Sequence, residues 1–351
     1  MFRKISMVIE SKVNSKISII INNYNYGRFL EEAVNSVLNQ THQPYEIIVV
    51  DDGSTDNSRE VLDKYSTKLK VIYKANGGQA SAFNRGYAEA TGDWLWFVDA
   101  DDFLVPEAVQ TVNEAVTDNG SELNEISKIH SPLYIVKSDG RRTGTLYPNS
   151  KLSSGFLVDE VVSKGDYKWP PTTGNVFHRS MLKKCMPIPE DEYRICADFF
   201  LCSFAPFSGL IVQTASPVGC YRIHQENSFY GVGFAKEKLK KNGEILLLVA
   251  RRTAQLVRQN TGHKNYQYPF NRRSLETVVI AKRFGSLTVP PALSGIGLHK
   301  LWLNAEEIKA ASLKNKIVAF SYWILLNAAP RKLTAYFIKR GMRKLNDSRE
   351  A

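Results

Sequence analysis

ISIIINNYNYGRFLEEAVNSVLNQTHQPYEIIVVDDGSTD, residues 17–56, changes period twice within forty residues. ISIII (17–21), apolar but for Ser18, predicts a buried strand. From Gly27, apolar residues recur at helical spacing (Leu30, Ala33, Val34, Val37, Leu38) and predict a helix to Gln40. EIIVV (46–50) reads as a second strand, closed by the Asp-Gly turn of DDGSTD. Strand, helix and strand, with apolar runs instead of alternation, predict parallel strands covered on both faces.

The same alternation runs on to about residue 120. SREVLDKY (58–65) predicts a short helix, LKVIY (69–73) a third strand, GQASAFNRGYAEA (78–90) a helix and DWLWFV (93–98) a fourth strand. Pro106 is expected to open a further helix at a favoured early position. Open sheets of this kind bind ligands beyond the carboxyl ends of their strands. Four polar clusters fall at those ends: NNYNYG, DDGSTD, ANGGQ and DADD. Further on, IHSPLYIV reads as a strand and PPTTGNVFHRSMLKK as a strand leading into a helix. ADFFLCSFAPF reads as helix and LIVQTASPVGCYRIH as two short strands, and from about residue 235 the pattern is helical and basic.

With 351 residues the chain suffices for one large domain or two ordinary ones, and 43% hydrophobic against 23% charged residues is globular. Cys185, Cys196, Cys202 and Cys220 form no close pair, which suggests a reducing, cytoplasmic compartment and argues against structural zinc. The N-terminus is too polar for a signal peptide, and no apolar run is long enough to predict a spanning helix. The net charge of +11 is unevenly spread: from Gly231 onward 23 Lys and Arg face 7 Asp and Glu, a net +16, leaving −5 on the front. A basic back suggests a polyanionic surface, whereas the acidic front is unsuited to nucleic acid.

The stretch WLWFVDADDFLVPEA (94–108) places Asp99, Asp101 and Asp102 directly after an apolar strand. Neighbouring carboxylates repel unless something neutralises them. Mg²⁺ or Mn²⁺ prefers oxygen ligands, using one or two protein carboxylates and completing its shell with water and phosphate oxygens. The bland alternative is an Asp-rich turn capping the next helix, and the position at a ligand-facing strand end favours the cation. Asp51 offers its carboxylate to a base or ribose hydrogen bond while Gly53 to Asp56 make the turn. Tyr24 suits either stacking on a base or simple packing. No GxxxxGK[ST] or GxGxxG follows any strand, which counts against a nucleoside triphosphatase and a dinucleotide-binding oxidoreductase.

ISIIINNYNYGRFLEEAVNSVLNQ, EIIVVDDGSTDNS, NGGQASAFNRGYAEATGD and WLWFVDADD, in that order, resemble the family 2 glycosyltransferases, inverting enzymes of GT-A fold. The likeness covers residues 16–120 and continues loosely through TTGNVF, ADFFL and YRIHQENS. It implies transfer of a sugar from a nucleotide-diphosphate donor to a saccharide or lipid-linked acceptor hydroxyl. By the family pattern Asn23, Tyr24 and Asp51 line the nucleoside pocket, Asp99 contacts ribose or the metal shell, and Asp101 ligates the cation. The base that takes the acceptor's proton falls on Asp198, with Asp191 and Glu192 as rivals. His224 of YRIH falls near the diphosphate or in the metal shell. One departure stands out: Phe83 occupies the place where many relatives carry Arg or Lys before the Asn of the third motif. Arg85 lies about 200° around the helix from that place, which leaves Gln79 to take over part of the contact.

The expected organisation is an N-terminal extension (1–15), a GT-A domain (16–230) and a helical basic region (231–351). Within the domain, 16–120 forms the nucleotide half and 121–230 the acceptor half. In the basic region IVAFSYWILLNAA is too short to span a bilayer but suits an interfacial segment, with Tyr322 and Trp323 at headgroup depth, on the cytoplasmic face of an anionic membrane. A helix packed on the domain or a second subunit is the plainer reading. Two other function classes remain open at this point: nucleotidyl transfer, for which NNYNYGR makes a poor basic loop, and a non-catalytic sugar or nucleic-acid binding protein.

Overall fold

The computed structural model describes residues 15–224, 227 and 236–266, with a few isolated positions between 278 and 288. The N-terminal extension up to residue 14, most of the basic region and the segment around Tyr322 and Trp323 lie outside the described residues.

The four expected strands are β1 (Ile17–Asn23), β2 (Glu46–Asp51), β3 (Lys70–Tyr73) and β4 (Trp94–Asp99). Between them run α1 (Gly27–Leu38), α2 (Ser58–Asp63) and α3 (Gln79–Glu89). β5 (Phe103–Leu104) and α4 (Ala108–Asp118) follow; Pro106 stands two residues ahead of α4 and not within its first turn. Then come β6 (Ile126–His130), β7 (Leu133–Val136), β8 (Arg142–Tyr147), α5 (Val158–Lys164), β9 (Asn175–His178) and α6 (Arg179–Cys185). The order closes with α7 (Ala197–Phe204), β10 (Leu210–Gln213), β11 (Gly219–Arg222) and α8 (Lys236–Thr261).

The main sheet has the order β10-β6-β9-β4-β1-β2-β3. β1 pairs in parallel with both β2 and β4, β2 with β3, and β6 with β10; only β9 runs antiparallel, between β4 and β6. A smaller sheet, β5-β11-β7-β8, stands beside it. IHSPLYIV is therefore not one strand: β6 and β7 belong to different sheets. Pro132, which has no N–H to give to a ladder, separates them. The two strands of LIVQTASPVGCYRIH divide in the same way.

Successive strand residues alternate between two cores. Ile17, Ile19, Ile21, Val49, Trp94, Trp96 and Val98 pack with α1 and α4 on one face. Ile20, Ile48, Val50, Leu95 and Phe97 pack with α3, α6 and α7 on the other. Burial on both faces fixes the register, since a one-residue slip would exchange the faces. That register sets Asn22 opposite Asp99 and Asn23 opposite Asp51, so the polar residues ending β1, β2 and β4 share one edge. α8 packs on the domain through its later turns. Val257 reaches the second core, and the Arg252 guanidinium lies over Phe200 (4.9 Å) and Phe204 (4.7 Å) of α7.

Candidate active site

A cleft of about 1640 Å³ opens along that edge. Its walls include Asn22, Asn23, Tyr24, Asp52, Asn76, Gly78, Gln79, Asp99, Asp101, Trp169, Thr172, Arg194 and Asp198. Motifs scattered over nearly 180 residues of sequence thus meet at the ends of three strands and one helix.

Asp99 ends β4, and its Oδ1 accepts hydrogen bonds from Asn22 Nδ2 (2.8 Å) and Gln79 Nε2 (3.1 Å). Burial, and after it the charge of Asp101, push its carboxyl up to about 7. Asp101 follows in the turn, 2.9 Å from His224 Nε2 through its Oδ2. Tyr26 and Phe29 pack on the His224 ring, with centroids 5.5 and 5.3 Å away. Asp102 points inward: it accepts hydrogen bonds from Thr173 Oγ1 (2.6 Å) and the Arg222 backbone N–H (2.9 Å). Its burial, and then Asp101 and Asp99, hold its carboxyl well above the usual range. Carboxylate oxygens of the three lie within 4.8 Å of one another, a buried all-oxygen donor set that fits Mg²⁺ or Mn²⁺. With Asp102 already hydrogen-bonded on both oxygens, Asp99 and Asp101 are the pair with a face to the cleft.

Asp198 stands in the first turn of α7, buried at the cleft wall. Burial raises its carboxyl to about 6, against the lowering effects of the Phe199 N–H and the Thr172 hydroxyl. The Thr172 hydroxyl also has a lowering effect on Asp99, so one hydroxyl acts on both carboxylates. Gln79 adds a second link, its Oε1 accepting the Ala197 N–H at 2.9 Å. Asp191 and Glu192, the rival bases, are exposed and lie outside the cleft walls.

On the nucleotide side, Asn23 and Tyr24 line the cleft, Tyr24 exposed and Asn23 buried. Asp51 sits behind them: its Oδ2 accepts Asn23 Nδ2 (2.7 Å) and its Oδ1 the Ser54 N–H (2.9 Å). The cleft-lining member of the pair is Asp52, whose carboxylate gathers Lys74 Nζ (2.5 Å), Asn76 Nδ2 (3.2 Å) and the N–H groups of Gly77 and Gly78. Strand alternation is the signal for this division, since consecutive residues at a strand end face opposite ways. Phe83 is fully buried and stacks on Phe97 at 4.1 Å, while Arg85 pairs with Glu89 on the outer face. Neither side chain is among the cleft walls.

Two buried cations escape a reading of the sequence. Arg222 is nearly inaccessible; its Nε donates to the Asp101 carbonyl (2.8 Å), Nη1 to the Ser138 carbonyl (3.0 Å) and Nη2 to Glu32 (2.5 Å). It therefore fixes the backbone that presents Asp101. Lys128 of β6 is fully buried, with Nζ 3.1 Å from Tyr167 Oη and 3.4 Å from Cys202 Sγ, and burial lowers its pKa. Both lie in stretches whose apolar pattern announces only a strand.

Residues 18–124 match the model of glycosyl transferase family 2. An uncharacterized glycosyltransferase of Nostoc sp. is 37% identical over 218 residues, which is 61% of this chain and 66% of that protein. The matched segment, residues 18–124, belongs to glycosyl transferase family 2. The chain spans just under two thirds of the Nostoc protein and much less of other relatives. The hyaluronan synthase of Pasteurella multocida, 37% identical over 114 residues, shares 31% of this chain but only 12% of its own. The crystal structure of Staphylococcus aureus TarS 1–349 in complex with UDP superposes with a TM-score of 0.50 at 17% identity, over 89% of this chain and 81% of that one. That likeness agrees with a GT-A fold for this chain.

Proposed function

We propose that this enzyme transfers a sugar from a nucleotide-diphosphate donor to an acceptor hydroxyl, with inversion at the anomeric carbon and with Mn²⁺ or Mg²⁺. The observation that carries the reading is the meeting of Asp99, Asp101 and Asp198 on one cleft. Two carboxylates serve a cation-bound diphosphate, and a third, held on a separate helix, serves a proton.

Asp101 and Asp99 would hold the cation, with His224 beside Asp101 as a third candidate. When bound, the cation would neutralise charge on the departing nucleotide diphosphate. Asn22 and Gln79 orient Asp99, and Arg222 fixes the chain at Asp101. Asp198 takes the proton of the acceptor hydroxyl at a carboxylate oxygen. As it does so, the acceptor oxygen bonds to the anomeric carbon and the bond to the diphosphate breaks on the opposite side. Asn23, Tyr24 and Asp52 wall the nucleoside end, with Asp51 ordering Asn23 and Ser54 behind it.

The hyaluronan and chondroitin synthases of Pasteurella multocida, each similar to 31% of this chain, support a saccharide acceptor in surface polysaccharide or glycolipid synthesis. The +16 of the last third supports a peripheral site of action on the cytoplasmic face of an anionic membrane, where a lipid-linked acceptor would lie.

Isothermal titration of UDP-, dTDP- and GDP-sugars with and without Mn²⁺ tests the reading, with donor hydrolysis followed in parallel. Binding of one donor should require the metal, and hydrolysis should vanish in Asp101→Ala. Metal-independent binding that this variant leaves unchanged overturns it.

A further inference from the structure

We infer that Arg194 is the nucleobase contact of the donor site and selects bases that present a carbonyl oxygen at pyrimidine C4 or purine C6. The inference rests on the nucleotide-diphosphate reading above. β2 and β3 stand two and three places from β4 in the sheet, about 10 and 14 Å at ~4.8 Å per strand. A diphosphate placed at Asp99 and Asp101 therefore sets its base near the ends of β2 and β3, about one extended nucleoside away. The walls there are Asp52, Asn76, Gly78 and Arg194.

Three of these four have little left to offer. The Asp52 carboxylate is taken up by Lys74, Asn76, Gly77 and Gly78. Asn76 Nδ2 donates to Asp52 and its Oδ1 accepts from Arg194, while the Gly78 N–H is already given to Asp52. Lys74 Nζ gives two of its three N–H groups to Asp52 and the Ala75 carbonyl and is not among the cleft walls. Arg194 is exposed, and the contact with Asn76 uses one of the five N–H donors of a guanidinium.

The arginine is also held in place. Its carbonyl accepts the Gln79 N–H (2.8 Å), and that of Tyr193 accepts the Ala80 N–H (3.3 Å), so the segment docks on the start of α3. Its side-chain stem lies against Gly78, where a Cβ would fall 2.4 Å from Arg194 Cγ and the backbone φ is +90°. A residue without a side chain at 78 makes room for the arginine at 194. Because Phe83 is turned into the core, the cation reaches this end of the cleft from a segment 110 residues further along the chain.

A guanidinium donates and never accepts. It matches O4 of uracil or thymine or O6 of guanine and opposes the amino group that cytosine carries at C4 and adenine at C6. The test is isothermal titration of UDP, GDP, CDP, ADP and pyrophosphate, each with Mn²⁺, against the full chain, Arg194→Ala and Arg194→Gln. The glutamine variant keeps a stem over Gly78 and an amide for Asn76. The wild type should prefer UDP to CDP or GDP to ADP. Both variants should weaken the preferred nucleotide about tenfold and erase the preference. Pyrophosphate binding should not change. Unaltered nucleotide affinity, or an equal loss for pyrophosphate, overturns the assignment. If the wild type takes no nucleotide, the donor reading fails and this inference falls with it; if it binds with no change in the variants, only Arg194 is wrong.

Discussion

Two aspartates of the site differ in what they face, and each makes a distinct prediction. Asp198 titrates near 6, raised by burial from an ordinary 3.8. A base works deprotonated, so transfer should rise with pH up to about 6 and then level off in this group. Stability runs the other way: the folded state holds this proton more tightly than the unfolded chain does. Raising the pH from about 4 to about 6 should therefore remove about 2 kcal/mol through this one group. A pH profile of kcat/KM should show the limb near 6. Asp198→Asn should lose the limb and about 10²–10⁴ of the rate; a limb that persists in the variant assigns the base elsewhere. Asp102, by contrast, gives both oxygens to Thr173 and Arg222 and is held toward its neutral form. Asp102→Asn should cost less than about 1 kcal/mol, and Asp102→Ala about 2–3 kcal/mol for the two lost hydrogen bonds. Mn²⁺ titration should find binding retained in both and lost in Asp101→Ala. Loss in Asp102→Asn would make Asp102 a ligand.

At the scale of elements, the close packing of α3 on β1 sets how the third motif meets the cleft. Gly86 lies in mid-helix, where Ala would ordinarily gain about 1 kcal/mol in propensity. Here a Cβ would fall 2.4 Å from Ile20 Cγ2, and overpacking costs about 1–3 kcal/mol. Gly86→Ala should therefore be destabilising by urea denaturation, and Ile20→Ala should relieve part of that cost. Additive losses would mean the contact yields freely. The first four strands and three helices were legible because their apolar residues follow one period from end to end and pack on both sheet faces. The smaller sheet was legible only in part: β11 lies in a stretch that reads as strand, whereas β5 has two residues, too short for a period to register. The break at Pro132 had a visible cause, while the assignment of β6 and β7 to different sheets depends on partners distant in sequence. The site divides along the same line. Asp99 and Asp101 follow, and Asp198 opens, elements with clear patterns, whereas Arg222, Lys128 and Arg194 gain their roles only from neighbours more than twenty residues away.

For the whole molecule, the question is how the charge asymmetry acts on a domain whose cleft is acidic. α8 begins the basic region, with seven Lys and Arg against two Glu between Lys236 and Thr261. Its apolar residues nevertheless pack on α7, the helix that carries Asp198, so this part of the region belongs to the support of the site. Among the described residues no helix is long and apolar enough to cross a membrane. Attraction to an anionic surface would then rest on charge beyond α8, where Arg331, Lys332, Lys339, Arg340, Arg343 and Lys344 follow one another closely. Basic residues near an anionic leaflet contribute about 1 kcal/mol each, so six replacements by Gln should lower vesicle affinity by several orders of magnitude. Flotation of the full chain with phosphatidylserine-containing vesicles should recover it at low salt and lose it at high salt, since the attraction is screened. The six-Gln variant should stay behind while keeping metal-dependent donor binding. If full chain and variant float equally, on anionic and neutral vesicles alike, apolar contact and not charge holds the membrane. If neither floats, the basic region serves a protein partner or its own domain.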